Sequence, residues 1–256
     1  MATAAKVLKP RPTIDRHARM RVGQAIAVYV WQYPLRLFHW VMVISIGVLG
    51  FTGYYIHNPF IAGQNSPFLM GWIRFVHECF GMLFGAMFLV RLYLFFKGDR
   101  WVQWRQMVPY RAEHWKEMIE VGKFYAFIRP TPVSKVGHNP LAAMSYLGIY
   151  ALVAVEIISG LVMFNWVRHS PWLNPIVGWI PGLLNINEIR LIHFFLMFVF
   201  IAFGIVHVHM CLTVSRAEKR GLMDSIFTGY KVVPVDELEE DDRHAIQSAA
   251  GHRVHK

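Results

Sequence analysis

RLIHFFLMFVFIAFGIVHVHM, residues Arg190–Met210, is the stretch on which the reading of this chain turns. From Arg190 to the next arginine, Arg216, no side chain between them is charged, and the run is long enough to cross a bilayer as one helix. It carries His193, His207 and His209. Imidazole in hydrocarbon is costly and usually marks a site. His193 and His207 lie fourteen residues apart, which at about 100° per residue brings them to within roughly 40° of one face, with a rise of roughly 21 Å between them. Two ligands on one stripe, near opposite membrane surfaces, are what two stacked cofactors need. His209 points nearly the opposite way and is not assigned as a ligand.

Composition agrees with a membrane chain. Of 256 residues, 55% are hydrophobic and only 16% are charged, too apolar for an ordinary soluble domain. The net charge of +10 would suit nucleic acid, but the basic residues fall in blocks between apolar runs, which is a topology signature, and no nucleic-acid partner is expected. No secretory leader is visible, so the first span is expected to direct insertion. Cys79 and Cys211 lie inside apolar runs and form neither CxxC nor CxxCH, which disfavours a disulfide framework, a c-type haem and a thiolate metal cluster.

The expected architecture is all-α: an integral membrane bundle of four transmembrane helices. Spans are expected at about 37–56, 71–96, 140–164 and 190–214, within a domain covering 31–216. Residues 1–30 form an N-terminal arm, flexible over Met1–Val22. Residues 217–256 form a partly disordered C-terminal tail, with disorder expected after Tyr230 through the acidic run Asp236–Asp242. Seven Lys and Arg precede His39 and eight lie between Lys97 and Pro140, against none in 57–70 and only Arg168 in 165–187. Both termini and the central loop are therefore expected in the cytoplasm, N-in and C-in. Trp101–Arg129 mixes aromatic and basic residues and reads as amphipathic cytoplasmic surface helices interrupted at Pro109. The outward loop 165–187 carries Trp172, Pro175, Ile176, Val177, Trp179 and Ile180, an apolar surface suited to the membrane or a partner protein.

Two more histidines lie inside spans: His39 at the cytoplasmic start of the first and His77 near the outer start of the second. Because the fourth span descends from outside, depth pairs His77 with His193 on the outer side and His39 with His207 on the inner side. Two neutral imidazoles per level, without carboxylate or thiolate, fit bis-histidine ligation of a flat macrocycle, whereas zinc would want four ligands. Gly50, Gly53, Gly81, Gly85 and Gly204 lie near the ligand faces, where they leave room for a porphyrin; close helix packing is the competing reading. Arg36, Arg74 and Arg190 each stand three residues before a ligand, where a guanidinium could meet a haem propionate or serve as an interfacial anchor. Glu156, deep in the third span, reads first as a structural residue, and Glu78 turns away from its neighbour His77. His138 and Asn139, in GHNP, read as a helix entry with Asn139 as cap before Pro140, and as a quinone-pocket candidate. His17, His57, His114, His169, His244, His252 and His255 are exposed or interfacial by position and need no function.

With these residues in hand, the chain resembles the b-type cytochrome subunit of membrane-bound nickel-iron hydrogenases, a cytochrome b561-like di-haem family, over roughly Arg36–Arg216. RLFHWVMVISIGVLGFTG (Arg36–Gly53) and RLIHFFLMFVFIAFGIVH (Arg190–His207) carry the resemblance. It implies two non-covalent b haems on histidines matching His39, His77, His193 and His207. It also implies partners: the small iron-sulfur and large nickel-iron hydrogenase subunits outside, docked on 165–187. Electrons would pass from those clusters to the outer haem, the inner haem and then quinone, so the chain serves a hydrogen:quinone oxidoreductase without touching hydrogen. The competing readings are the related cytochrome of formate dehydrogenase or another periplasmic reductase, a free-standing b-type cytochrome, and, from a different class, a non-haem metal-ion transporter. The transporter predicts acidic residues among the span histidines, where only Glu78 and Glu156 are available.

Overall fold

The computed structural model describes residues 25–60, 68–98, 101–109, 112–130 and 137–234. Met1–Val22 and the acidic run Asp236–Asp242 lie outside the described residues. In chain order the elements are β1 (Ala25–Tyr29), α1 (Tyr33–His57), α2 (Leu69–Lys97), α3 (Trp104–Met107), α4 (Ala112–Tyr125), α5 (Pro140–Arg168), α6 (Asn174–Val177), a 3-10 turn (Ile180–Gly182), α7 (Ile186–Glu218), α8 (Leu222–Thr228) and β2 (Tyr230–Pro234).

Helices α1, α2, α5 and α7 contain 25, 29, 29 and 33 residues and are long and apolar enough to cross a membrane, since about 20 apolar residues suffice. They are the four expected spans, and each runs a few residues further than hydropathy alone suggests. At α7 the reason is a reciprocal cap. The Asn185 side chain accepts from the Asn187 and Glu188 amides at 2.8 and 3.2 Å, and Glu188 accepts the Asn185 amide at 3.0 Å. This satisfies otherwise orphaned donors and starts the helix before its apolar run begins. At α5, Asn139 accepts the Ala142 amide at 2.8 Å ahead of Pro140, the helix entry expected from GHNP.

The chain divides into two compact units, residues 37–94 with 145–207, and residues 1–36 with 95–144 and 208–256. The first unit is the helical bundle. On α1 the buried residues Phe38, Met42, Ser45, Thr52 and Tyr55 follow one helical stripe, while Leu37, Val43, Ile44, Phe51 and Tyr54 face outward. Exposed apolar side chains opposite a narrow buried seam are what a helix immersed in lipid presents. Helix α2 buries only Phe84, Phe88 and Arg91. The loop after α5 packs inward through Leu173 and Val177, against Val162 and Ile189. Val177, expected on the outer apolar surface, is therefore core; Trp172, Ile176, Trp179 and Leu183 stay exposed.

The second unit holds a feature the sequence reading lacked. β1 and β2 pair antiparallel, from Ala25 opposite Pro234 to Tyr29 opposite Tyr230. The start of the tail is thus an ordered strand, and the all-helical expectation gains a two-stranded sheet. Val28, Val30, Trp31, Trp101 and Val233 form its core, and Trp31 Nε1 donates to Ser225 Oγ at 3.0 Å. Gly229 sits at φ +86°, with its position so close to the Tyr29 ring and the Trp31 carbonyl that no side chain fits. Its own carbonyl accepts the Val30 and Trp31 amides at 2.9 and 3.1 Å. Lys231 and Glu218 make an ion pair at 3.4 Å with both side chains 4% exposed. Helices α3 and α4 stand on either side of Pro109 as expected, and α4 buries Val121 and Phe124 while leaving Trp115 and Ile119 exposed.

Candidate cofactor site

Four histidines from three helices of the bundle meet in two pairs. His77 of α2 faces His193 of α7 with ring centroids 6.3 Å apart, and His39 of α1 faces His207 of α7 at 6.4 Å. The pairing by depth and the fourteen-residue stripe on α7 thus agree with the geometry. The separation carries chemical meaning. A nitrogen bound to a metal at about 2 Å leaves its ring centroid about 3 Å from that metal, so two imidazoles on opposite sides of one ion hold their centroids about 6 Å apart. Among the described residues no group of three or more His, Cys, Asp or Glu converges as a metal site. Two imidazoles per level would suit a metal that brings its remaining donors with it, as the iron of a porphyrin does.

Hydrogen bonds decide which ring nitrogen is left free for a metal. Thr52 Oγ1 donates to the Val48 carbonyl of its own helix at 2.7 Å, and lies 2.8 Å from His77 Nδ1. Ser159 Oγ donates to the Glu156 carbonyl at 2.9 Å and lies 2.9 Å from His193 Nδ1. Each hydroxyl has one proton and spends it on its own backbone, so toward the imidazole it accepts. Nδ1 therefore carries the proton in both rings, and the Nε2 lone pair is left for a metal, the arrangement that outer partners impose on metal-bound histidine. The Tyr146 hydroxyl lies 3.3 Å from His207 Nδ1. His39 is flanked by the Trp40 ring at 5.2 Å, and no partner stands at its Nδ1 among the described residues.

Thr52, Ser159 and Tyr146 escaped the sequence reading. Hydroxyls inside apolar spans are the signal that could have found them, but many such hydroxyls only bond their own helix, and the neighbouring helix needed to tell the cases apart is tertiary information.

The glycines divide by role. A Cβ on Gly53 would lie 3.2 Å from His77 Cε1, and one on Gly160 would lie 3.2 Å from His193 Cε1. These two let the imidazoles lie against the opposing backbone. Gly160 was not foreseen. Gly81 and Gly204 have nothing within 4 Å of a built Cβ, whereas Gly50 and Gly85 pack at 3.8 Å on Ile201 and Ile157. Gly81 and Gly204 thus border open space, while Gly50 and Gly85 take part in helix packing.

Other expected site residues are less convergent. Arg74 and Arg190 are exposed, and Arg36 donates to the Phe227 carbonyl. His138 packs on the Trp31 ring at 4.7 Å. Asn139, besides capping α5, bonds Tyr125, whose phenol is pushed above its usual pKa by burial. Glu156 Oε2 approaches His193 Nδ1 at 3.5 Å, while Glu78 pairs with Arg168 at 3.2 Å.

Comparison with known proteins agrees with this geometry. Residues 30–229 match the family model described as prokaryotic cytochrome b561. The chain belongs to that family. Among curated relatives, a probable Ni/Fe-hydrogenase B-type cytochrome subunit of Azotobacter vinelandii is 31% identical over 84% of this chain and 93% of its own length. The Cupriavidus necator protein of the same description is 32% identical over 82% and 89%. The Escherichia coli K12 probable Ni/Fe-hydrogenase 1 B-type cytochrome subunit is 28% identical over 88% and 99%. Membership in a b-type cytochrome family implies haem b, and the paired histidines of this cytochrome fit it. Replacing Gly160 by valine should drive its side chain into His193 and lower the haem content per chain, as measured by haem extraction; unchanged content would show that the ring has room to move.

Proposed function

We propose that this cytochrome is the di-haem b membrane anchor and electron-transfer subunit of a periplasm-facing nickel-iron hydrogenase, set in the bacterial inner membrane with both termini in the cytoplasm. The observation that carries the reading is the pair of histidine pairs, 6.3 and 6.4 Å between centroids, stacked along α7. When bound, haem b would supply a one-electron couple at each level, the means of carrying electrons from hydrogenase iron-sulfur clusters to quinone.

The chain's own residues would do the rest. His77 and His193, each offering Nε2, hold the outer level, and His39 and His207 hold the inner one. Thr52, Ser159 and Tyr146 fix ring orientation, so the ligands are set before the metal arrives. Arg36, Arg74 and Arg190 are proposed to offset propionate charge, and His138 with Asn139 to line a quinone site. Exposed Trp172, Ile176, Trp179 and Leu183 support 165–187 as the docking face for the small and large hydrogenase subunits, because a cluster of this kind is favoured only when covered. The scarcity of Lys and Arg in that loop supports its outward placement.

A reduced-minus-oxidised spectrum of detergent-purified protein, with haem extracted and counted, tests the reading. Two non-covalent b haems per chain are expected. None, in cells supplied with haem, would sink it and favour a metal-ion path. Co-purification with a formate dehydrogenase instead of a hydrogenase would keep the haems and change the partner.

A further inference from the structure

Arg91 is the largest fully buried side chain, at 2% exposure, in the helical unit of a membrane protein. It continues the interior stripe of α2 after Phe84 and Phe88. A guanidinium there is expensive and tends to be functional. Its Nε donates to the Tyr150 hydroxyl at 3.0 Å, and its cation lies 5.0 Å from the Tyr150 ring centroid. Tyr150 stands one helical turn, about 6 Å, along α5 from Tyr146, and Tyr146 reaches His207 at 3.3 Å. Along α2, Arg91 follows His77 by fourteen residues, the same spacing that separates His193 from His207 on α7. The cation therefore belongs to the His39–His207 level, on the side facing the other level.

The unit's acidic side chains are Glu78, Glu156 and Glu188. Glu78 adjoins His77, Glu156 approaches His193, and Glu188 caps the start of α7. These three are matched in number by the exposed Arg74, Arg168 and Arg190, Glu78 pairing directly with Arg168, so the charge that stands out in the unit is the buried one on Arg91.

We propose that Arg91 is a redox-positioning residue, a fixed cation that raises the electron affinity of the haem held by His39 and His207 and so favours electron transfer from the His77–His193 level. This rests on the two-haem reading above. Reduction adds one negative charge, which a cation stabilises. At an effective dielectric constant of about 20, a unit charge about 10 Å away biases electron affinity by more than about tenfold.

The test is a redox titration of purified wild-type and variant cytochrome, followed in the α-band, with haem counted in each sample. The wave that disappears in His207→Ala identifies the level. In Arg91→Gln that wave should move to lower potential by at least the 59 mV that corresponds to a tenfold change for one electron, while the other wave moves less. Arg91→Lys, which keeps the charge, should stay near wild type. If Arg91→Gln does not assemble, Tyr150→Glu sets a carboxylate against the guanidinium and should lower the same wave. An unmoved wave in variants holding two haems, or an equal fall in Arg91→Lys, would overturn the role of Arg91 and leave the two-haem reading intact. Fewer than two haems in the wild type would remove both.

Discussion

With a haem held at each histidine pair as proposed, replacing His193 by alanine should cost the cytochrome one of them, and replacing His209 by alanine should cost none. His193 is half of a pair 6.3 Å across, with Nδ1 held by Ser159 at 2.9 Å. Losing the imidazole leaves His77 alone of the two residues that would hold the group there. One ligand of the pair would hold it far more weakly than two, so occupancy at that level should fall severalfold while the His39–His207 level keeps its absorbance. His209 is the internal control because it lies two residues from His207 on the same helix yet takes part in neither pair. The measurement is the pyridine haemochrome yield per chain, with the low-spin spectrum of the surviving haem recorded alongside. Full haem content in His193→Ala would show that the pairing is wrong; loss in His209→Ala would show that haem content follows general damage to α7.

Replacing Lys231 by methionine should loosen the unit that holds the two-stranded sheet. Lys231 and Glu218 are both 4% exposed and 3.4 Å apart, so removing the cation strands a buried carboxylate, at a cost of about 3–5 kcal/mol. A loss of about 3 kcal/mol raises the population of open forms by about a hundredfold. Limited proteolysis read by mass spectrometry, with cleavage slow against reclosing, reports that population. Cleavage within residues 219–234 should accelerate accordingly, and adding Glu218→Leu to Lys231→Met should recover much of the loss, since apolar residues of similar size often replace a buried pair without penalty. Unchanged cleavage in the single variant would mean that the pair adds nothing to the unit's stability.

The amino-acid sequence by itself determined the spans and singled out the four histidines that the bundle brings together in pairs. An uncharged run from Arg190 to Arg216 has one stable form in lipid, a helix that satisfies its own backbone. Helical pitch then forced His193 and His207 onto one stripe, and the alternating basic loops ordered the other two histidines by depth. Backbone hydrogen bonding and charge distribution are local properties, so one sequence suffices to read them.

Tertiary structure decided what depends on a neighbour distant in the chain. Thr52 and Ser159 look like ordinary span hydroxyls until another helix brings an imidazole within 3 Å. Gly53 and Gly160 matter because of what lies across from them. Arg91 reads in sequence as one basic residue near a span end, and only the packing of α2 against α5 buries it on Tyr150. The sheet was hidden for the same reason: its strands, each short and unremarkable alone, are some two hundred residues apart. Pairing, burial and the choice of ring nitrogen are relations between side chains that helical or strand periodicity cannot express, and they are settled only when the helices pack.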